Sequence, residues 1–225
     1  MFVHLKTKTI YSLLEGAIFS KALADQCRKF KMPAVGIADR ANLFGALEFS
    51  EVLSDNGIQP IIGCQLPMSF KEADLKKLRA TDRISMLFLA KNELGYRNLM
   101  ELSSKFFLND TYRFEGMSIR EIDKFSDGLI CLSGGDESPI NNLLKDNKIK
   151  EAENLLLHFK RTFGDRFYLE MNRHPLGQNL SNRVNIEDNI LYLADKQRLP
   201  LVATNDVYFL EKKLHQPHDA LLCIA

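Results

Sequence analysis

His4-Leu5-Lys6-Thr7-Lys8, Ala38-Asp39-Arg40, Gly63-Cys64-Gln65 and Thr204-Asn205-Asp206-Val207-Tyr208 each close an apolar run in polar residues, where a metal site could stand. Together they bring lysines, an arginine, a glutamine and a tyrosine. Hydrolytic metal sites need imidazole and carboxylate donors, neutral or negative, to offset the charge of two or three dications and to activate water. Lysine and arginine carry positive charge to the same place and offer no lone pair at neutral pH. The positions suit a metal site and most of the residue types do not.

Other residues that could do chemistry read more simply. His215 and His218 have a spacing that chelates zinc on a helix when further ligands converge, but nothing nearby in sequence supplies them. Arg173-His174 reads as a hydrogen-bonded surface pair, and His158, within a helical pattern with Leu155, Leu156 and Leu157, as a boundary residue. Phe106, Phe107, Tyr112 and Phe114 could stack on single-stranded nucleic acid, yet only Lys105 and Arg113 accompany them, so packing or a protein contact is the expectation. No nucleophile elbow, P-loop or dinucleotide fingerprint occurs.

The bulk composition is that of a globular chain: 225 residues, 45% hydrophobic and 26% charged, enough for one substantial core. With 30 basic against 29 acidic residues it lacks the broad basic excess of a dedicated nucleic-acid binder. No run approaches the roughly 18 apolar residues of a membrane span, and Met1-Phe2-Val3-His4 does not begin a signal peptide. Cys27, Cys64, Cys131 and Cys223 are scattered, without a C-x-x-C pair, which suits free thiols in a reducing compartment. Cytoplasmic residence is expected, with no membrane partner.

The elements that must position the clusters alternate strand and helix. Phe2 to Lys6 precedes Ala17 to Lys31; Ala34 to Ala38 precedes Asn42 to Ser54; Gln59 to Leu66 precedes Phe70 to Arg79; Met86 to Ala90 precedes Glu93 to Phe107. Gly128 to Ser133 then leads to Ile140 to Phe163, Phe167 to Met171 to Ile186 to Lys196, and Leu199 to Thr204 closes the series. Such alternation predicts a parallel sheet with crossover helices, and seven units fit a barrel better than two domains. Asn109 to Gly116 and the stretch around Pro175 to Ser181 are expected to be surface loops. In a parallel barrel the functional face lies at the C-terminal ends of the strands. Alternation sets His4, Lys6 and Lys8 on one face of the first strand and Val3, Leu5 and Thr7 on the other. The lysines either point into the barrel mouth or are solvated where the strand ends.

In this order the segments resemble the polymerase and histidinol phosphatase (PHP) domain at the N-terminus of the bacterial replicative DNA polymerase III α subunit. The markers are Tyr11-Ser12-Leu13-Leu14-Glu15-Gly16-Ala17, Asn42-Leu43-Phe44-Gly45-Ala46-Leu47-Glu48-Phe49, Pro60-Ile61-Ile62-Gly63-Cys64 and Leu89-Ala90-Lys91-Asn92 followed by Gly95-Tyr96-Arg97-Asn98-Leu99. Leu132-Ser133-Gly134, Ala203-Thr204-Asn205-Asp206-Val207 and His218-Asp219-Ala220-Leu221-Leu222-Cys223-Ile224 complete the series. The resemblance covers essentially residues 1 to 225. It implies an α/β fold, a distorted (β/α)7 barrel of PHP type, forming a single domain over 1-225 as the N-terminal fragment of a longer polymerase chain.

The resemblance also implies where metal ligands would stand. Metal-bearing members carry His-x-His, Asp-His, a Glu after Gly-Cys, a His before Leu-Ala-Lys-Asn, a Cys after Ser-Gly, and the Asp and His of Asn-Asp-Val-His. Here those positions hold Lys6 and Lys8, Asp39 and Arg40, Gln65, Ser85, Gly135, and Asp206 and Tyr208. A degenerate site without catalytic residues or metal is therefore expected. Lys6, Lys8 and Arg40 would act as counter-charges for Asp39, Asp206 and Glu170, or would hold a phosphate or a DNA end. The implied function is a non-catalytic module that stabilises the polymerase and offers a docking surface for a proofreading exonuclease subunit. The parent protein would carry out template-directed DNA synthesis with Mg2+ and meet DNA itself. The rival is a metal-dependent 3′ to 5′ exonuclease or phosphoesterase.

Overall fold

The computed structural model describes residues 2–70, 84–172 and 180–224, with the backbone alone for 180–185. In chain order the elements are β1 (Lys6–Thr7), α1 (Ser20–Lys29), β2 (Ala34–Arg40), α2 (Ala46–Asp55), β3 (Gln59–Ser69), β4 (Ser85–Ala90), α3 (Glu93–Leu108), α4 (Asp110–Glu115) and β5 (Met117–Ser118). There follow α5 (Ile119–Lys124), β6 (Leu129–Leu132), α6 (Pro139–Lys145), α7 (Ile149–Phe163), β7 (Phe167–Asn172), α8 (Leu180–Gln197), β8 (Leu201–Thr204), β9 (Asp206–Val207) and α9 (His215–Leu222). They divide into two compact units, residues 1–65 with 205–225, and residues 66–204.

In the first unit β1 is the centre of a parallel ladder. Thr7 pairs with Ile37 of β2, Lys6 with Asp206 and Thr7 with Val207 of β9, while β2 runs in register with β3 from Ala34↔Gln59 to Arg40↔Gln65. The apolar stripe of α1, Leu23, Ala24 and Cys27, packs with Val35, Ile37, Phe49 and Leu53 around Ile18. Period 3.6 on the helices and buried continuity on β2 thus produce one core, as parallel strands covered by helices require. The helix α2 starts four residues later than the pattern predicts. Asn42 is the cause: its amide donates to Tyr11 O and Arg40 O and accepts from Phe44 N, a local alternative to helix.

In the second unit β6 pairs in parallel with β7, and β7 with β8. The short β5 pairs in parallel with the end of β3, Met68↔Met117 and Ser69↔Ser118. Its core stacks Phe88, Phe159, Phe163 and Phe167, with ring centroids 5.7–6.4 Å apart. The expected all-parallel sheet is corrected here, because β4 pairs antiparallel with β6, Leu87↔Leu132 through Ala90↔Leu129.

Three local expectations also change. The expected loop at 109 to 116 is the helix α4, capped by Asn109, whose side chain accepts from Tyr112 N, and ended at Gly116 with φ 91°. The single stretch from Ile140 to Phe163 is two helices, separated at Asn147 in the left-handed region, φ 56°. Leu180 and Ser181, expected in a loop, begin α8, whereas Pro175 to Gln178 and Asn179, like the helix expected to Arg79, lie outside the described residues.

Candidate functional site

Seven of the nine positions singled out by sequence, Lys6, Lys8, Asp39, Arg40, Gln65, Asp206 and Tyr208, belong to the first unit. Parallel pairing sets Lys6 beside Asp206, and the ammonium meets the carboxylate with Nζ to Oδ1 at 2.9 Å. Lys6 is 1% exposed and Lys8 0%, so neither is a solvated strand end. Burial of an ammonium is sustained only with compensating charge and hydrogen bonds, which the Asp206 contact provides for Lys6. On the other face of β1, Thr7 is fully buried and its hydroxyl meets no hydrogen-bond partner among the described residues.

Asp39, at the end of β2, is held by the loop that follows β1. Thr9 N donates to Oδ1 at 2.7 Å, the Thr9 hydroxyl to Oδ2 at 2.6 Å and the Ser12 hydroxyl to Oδ1 at 2.6 Å. Ser12 Oγ in turn accepts from Arg40 N at 3.2 Å. Both carboxylate oxygens are thereby engaged with short, charge-assisted bonds.

The Arg40 guanidinium donates from Nε to both oxygens of Glu15, at 2.8 and 3.0 Å. Glu15 was not anticipated from sequence, although it lies within the Tyr-Ser-Leu-Leu-Glu-Gly run, and neither were Thr9 and Ser12. The signal available was a cluster of hydroxyls and a carboxylate in a short loop directly after a strand. His218 completes this edge: it is buried, with Nε2 2.7 Å from Glu15 O and the Tyr208 ring 5.5 Å from its own. Its companion His215 faces Asp219 instead, Nδ1 to Oδ2 at 3.4 Å, so the two histidines do not converge. Cys64, in register with Asp39, has its thiol pushed up to about 12, first by burial, with Lys8 opposing and Asp39 reinforcing the shift. Gln65, also buried, is in register with Arg40.

Ser85, Gly135 and Glu170 belong to the second unit. The Ser85 hydroxyl donates to Glu137 Oε2 beside the short turn Gly135–Glu137. Glu170 on β7 is buried; Oε2 accepts from Gly134 N at 3.0 Å and Oε1 from the Thr204 hydroxyl, while Glu170 N donates to Ser133 Oγ at 3.0 Å. Burial also raises the thiol of Cys131 well above its ordinary value, with Glu170 adding to the shift.

Elsewhere, His158 Nε2 lies 3.0 and 3.1 Å from the oxygens of Asp123, which also accepts from the Thr162 hydroxyl, tying α5 to α7. Of the four aromatics, Phe106 is buried on α3 while Phe114 on α4 is exposed. Arg173 and His174 lie outside the described residues. Among the described residues no three His, Cys, Asp or Glu side chains gather as a metal cluster, and no helix is long and apolar enough to cross a membrane.

Comparison with known proteins gives one consistent answer. The PHP domain family matches residues 4–174. DNA polymerase III subunit alpha of Caulobacter vibrioides is 43% identical over the whole chain, that of Rickettsia bellii 36% over the whole chain, and that of Borreliella burgdorferi 33% over 99% of it. The chain spans only 18–19% of the length of these relatives. Among solved structures, a putative metal-dependent phosphoesterase from Bifidobacterium adolescentis has TM-score 0.54 at 13% identity, covering 92% of this chain and 87% of that one. An amidohydrolase from Chromobacterium violaceum has TM-score 0.55 at 10% identity, covering 97% and 96%. These two show a shared fold, and with the family match over most of the chain they bear out the α/β, PHP-type architecture expected from sequence. The chain belongs to the PHP domain family.

Proposed function

We propose that this chain is a non-catalytic PHP module of a DNA polymerase III α subunit, whose site residues hold structure in place of metals. The observation that carries the reading is the buried Lys6 ammonium 2.9 Å from Asp206 Oδ1, a cation of the protein's own at a position where a metal's ligands are expected. The donor set does not fit a trinuclear metal group: Asp39 spends both oxygens on Thr9 and Ser12, and Lys6, Lys8 and Arg40 are cations. The module's contribution is to stabilise the longer polymerase and to give the proofreading exonuclease subunit a docking surface. DNA synthesis, with its Mg2+ and its contacts to DNA, belongs to the rest of the α subunit.

Elemental analysis of the purified protein, with exonuclease and phosphoesterase assays in manganese and zinc, tests this directly. The expected result is substoichiometric metal and no turnover; stoichiometric metal with turnover reinstates the hydrolase reading. A pull-down with the cognate exonuclease subunit tests the docking role, and no binding at about micromolar concentration, a strength of roughly 8 kcal/mol, leaves stabilisation alone. The phosphate-holding reading draws on the same Lys6, Lys8 and Arg40, and a crystal with sulfate or phosphate at Lys6 and Arg40 would favour it.

A further inference from the structure

The polar network of the first unit has an apolar outer surface. Residues 9–16, whose inner side chains Thr9, Ser12 and Glu15 hold Asp39 and Arg40, carry Leu13 and Leu14 outward, Leu13 79% exposed. The loop is fixed there at some cost, because Leu14 has φ 62°, in the left-handed region that a non-glycine residue seldom adopts. Glu15 N and Gly16 N both donate to Ser12 O, and a Cβ on Gly16 would lie 2.1 Å from Thr9 O. A flexible loop would relax such a leucine. This one is clamped from beneath by Asp39, Arg40 and His218.

Beside it stands the start of α2. The Tyr11 hydroxyl donates to Glu48 at 3.0 Å, and Gly45 lies so close that a Cβ there would come 2.6 Å from the Tyr11 ring. That contact joins the loop to the start of α2, where Phe44 is 64% exposed and Leu47 71% exposed. Single exposed hydrophobics are ordinary, but four large ones carried by one clamped loop and the helix start tied to it mark an interaction surface.

We infer that Leu13, Leu14, Phe44 and Leu47 form the docking surface for the remainder of the α-subunit polypeptide, and that the degenerate site is the foundation that holds this surface in shape. The inference rests on the proposed polymerase reading and names its contact surface. The occupant follows from length: relatives align with all of this chain over only 18–19% of their own residues. About four-fifths of such a polypeptide is then tethered nearby at high effective concentration, which favours it over any free partner. The same loop and helix start carry the polar Arg40–Glu15 and Tyr11–Glu48 pairs, so apolar and polar groups alternate along these segments as interface surfaces require.

The test is hydrogen exchange on the intact polymerase polypeptide, comparing wild type with Leu13→Asp/Leu47→Asp. Exchange in segments 11–16 and 42–48, and in one segment beyond residue 225, should rise at least about tenfold in the variant. Leu13→Met/Leu47→Met, which keeps apolar volume, should restore protection. A rise confined to the substituted segments, no rise at all, protection that depends on added exonuclease subunit, or a dimer that disappears in the variant each overturns the assignment. Metal content measured on the same samples separates the two readings: uptake of metal would defeat the proposed function whatever the exchange shows.

Discussion

The strand ends of the two units satisfy their polar groups by different means. In the first, charge meets charge: Lys6 with Asp206, and Arg40 with Glu15, while Asp39 rests on hydroxyls and a backbone N–H. In the second, within its own elements, Glu170 is held by the Thr204 hydroxyl and Gly134 N, and Glu137 by the Ser85 hydroxyl. The difference has energetic meaning. Hydroxyl and amide partners each contribute about 1 kcal/mol net, whereas removing one member of a buried ion pair strands the other and costs several times more. Carboxylates at the strand ends are thus engaged by different donors in the two units.

The largest effect should come from Asp206→Ala. It strips the Asp206 carboxylate from a lysine that is 1% exposed, and about 3–5 kcal/mol of stability should go with it. Urea titration measures this, and a melting temperature within about 1 °C of wild type, equivalent to well under 1 kcal/mol, would break the contrast between the units. Next comes Thr204→Val, which removes the hydroxyl from buried Glu170 and should cost about 1–3 kcal/mol. If that loss equals or exceeds that of Asp206→Ala, the first unit is not held more strongly by charge than the second by hydroxyls.

The smallest effect is a pH dependence in the first unit. Partial burial holds His4 below its ordinary value of 6.5, and its Nδ1 meets no hydrogen-bond partner among the described residues. The unfolded chain then takes up the proton first, so this contribution is present above about pH 6.5 and is lost as pH falls toward the folded value. Between about pH 7 and pH 5, His4→Gln should flatten the decline in urea midpoint; an unchanged slope assigns the decline to other groups.

Much of the architecture was legible because it rests on periodicity. The buried run Ala34 to Ala38, the stripe Leu23, Ala24 and Cys27, and the Pro and Gly punctuation after them identify β2, α1 and their order. What escaped was local capping and strand direction. Six residues are too few to display a helical period, so α4 is announced only by Asn109 and Gly116. The break after Lys145 depends on Asn147 at φ 56°, a backbone choice no hydrophobic pattern records. The antiparallel β4–β6 pair is set by tertiary packing, since strand direction leaves no local trace.

At the site, alternation puts Lys6 and Lys8 on one face of the first strand and the resemblance groups Asp206 with them, but the register that sets Lys6 beside Asp206 required the fold. Thr9, Ser12 and Glu15 sit in a loop whose residues follow neither period, so their convergence on Asp39 and Arg40 required the fold. His218, 203 residues from Glu15 in sequence, could be judged only by where its ring nitrogen ends, on Glu15 O.

The proposed structural role of the site requires that Lys6 and Asp206 act as one coupled unit. A double-mutant cycle of Lys6→Met, Asp206→Leu and the paired replacement, read by urea unfolding, measures that coupling. Each single change should be markedly destabilising and the pair much less so, with a coupling energy of at least about 1.5 kcal/mol. Additivity within about 0.5 kcal/mol would contradict it.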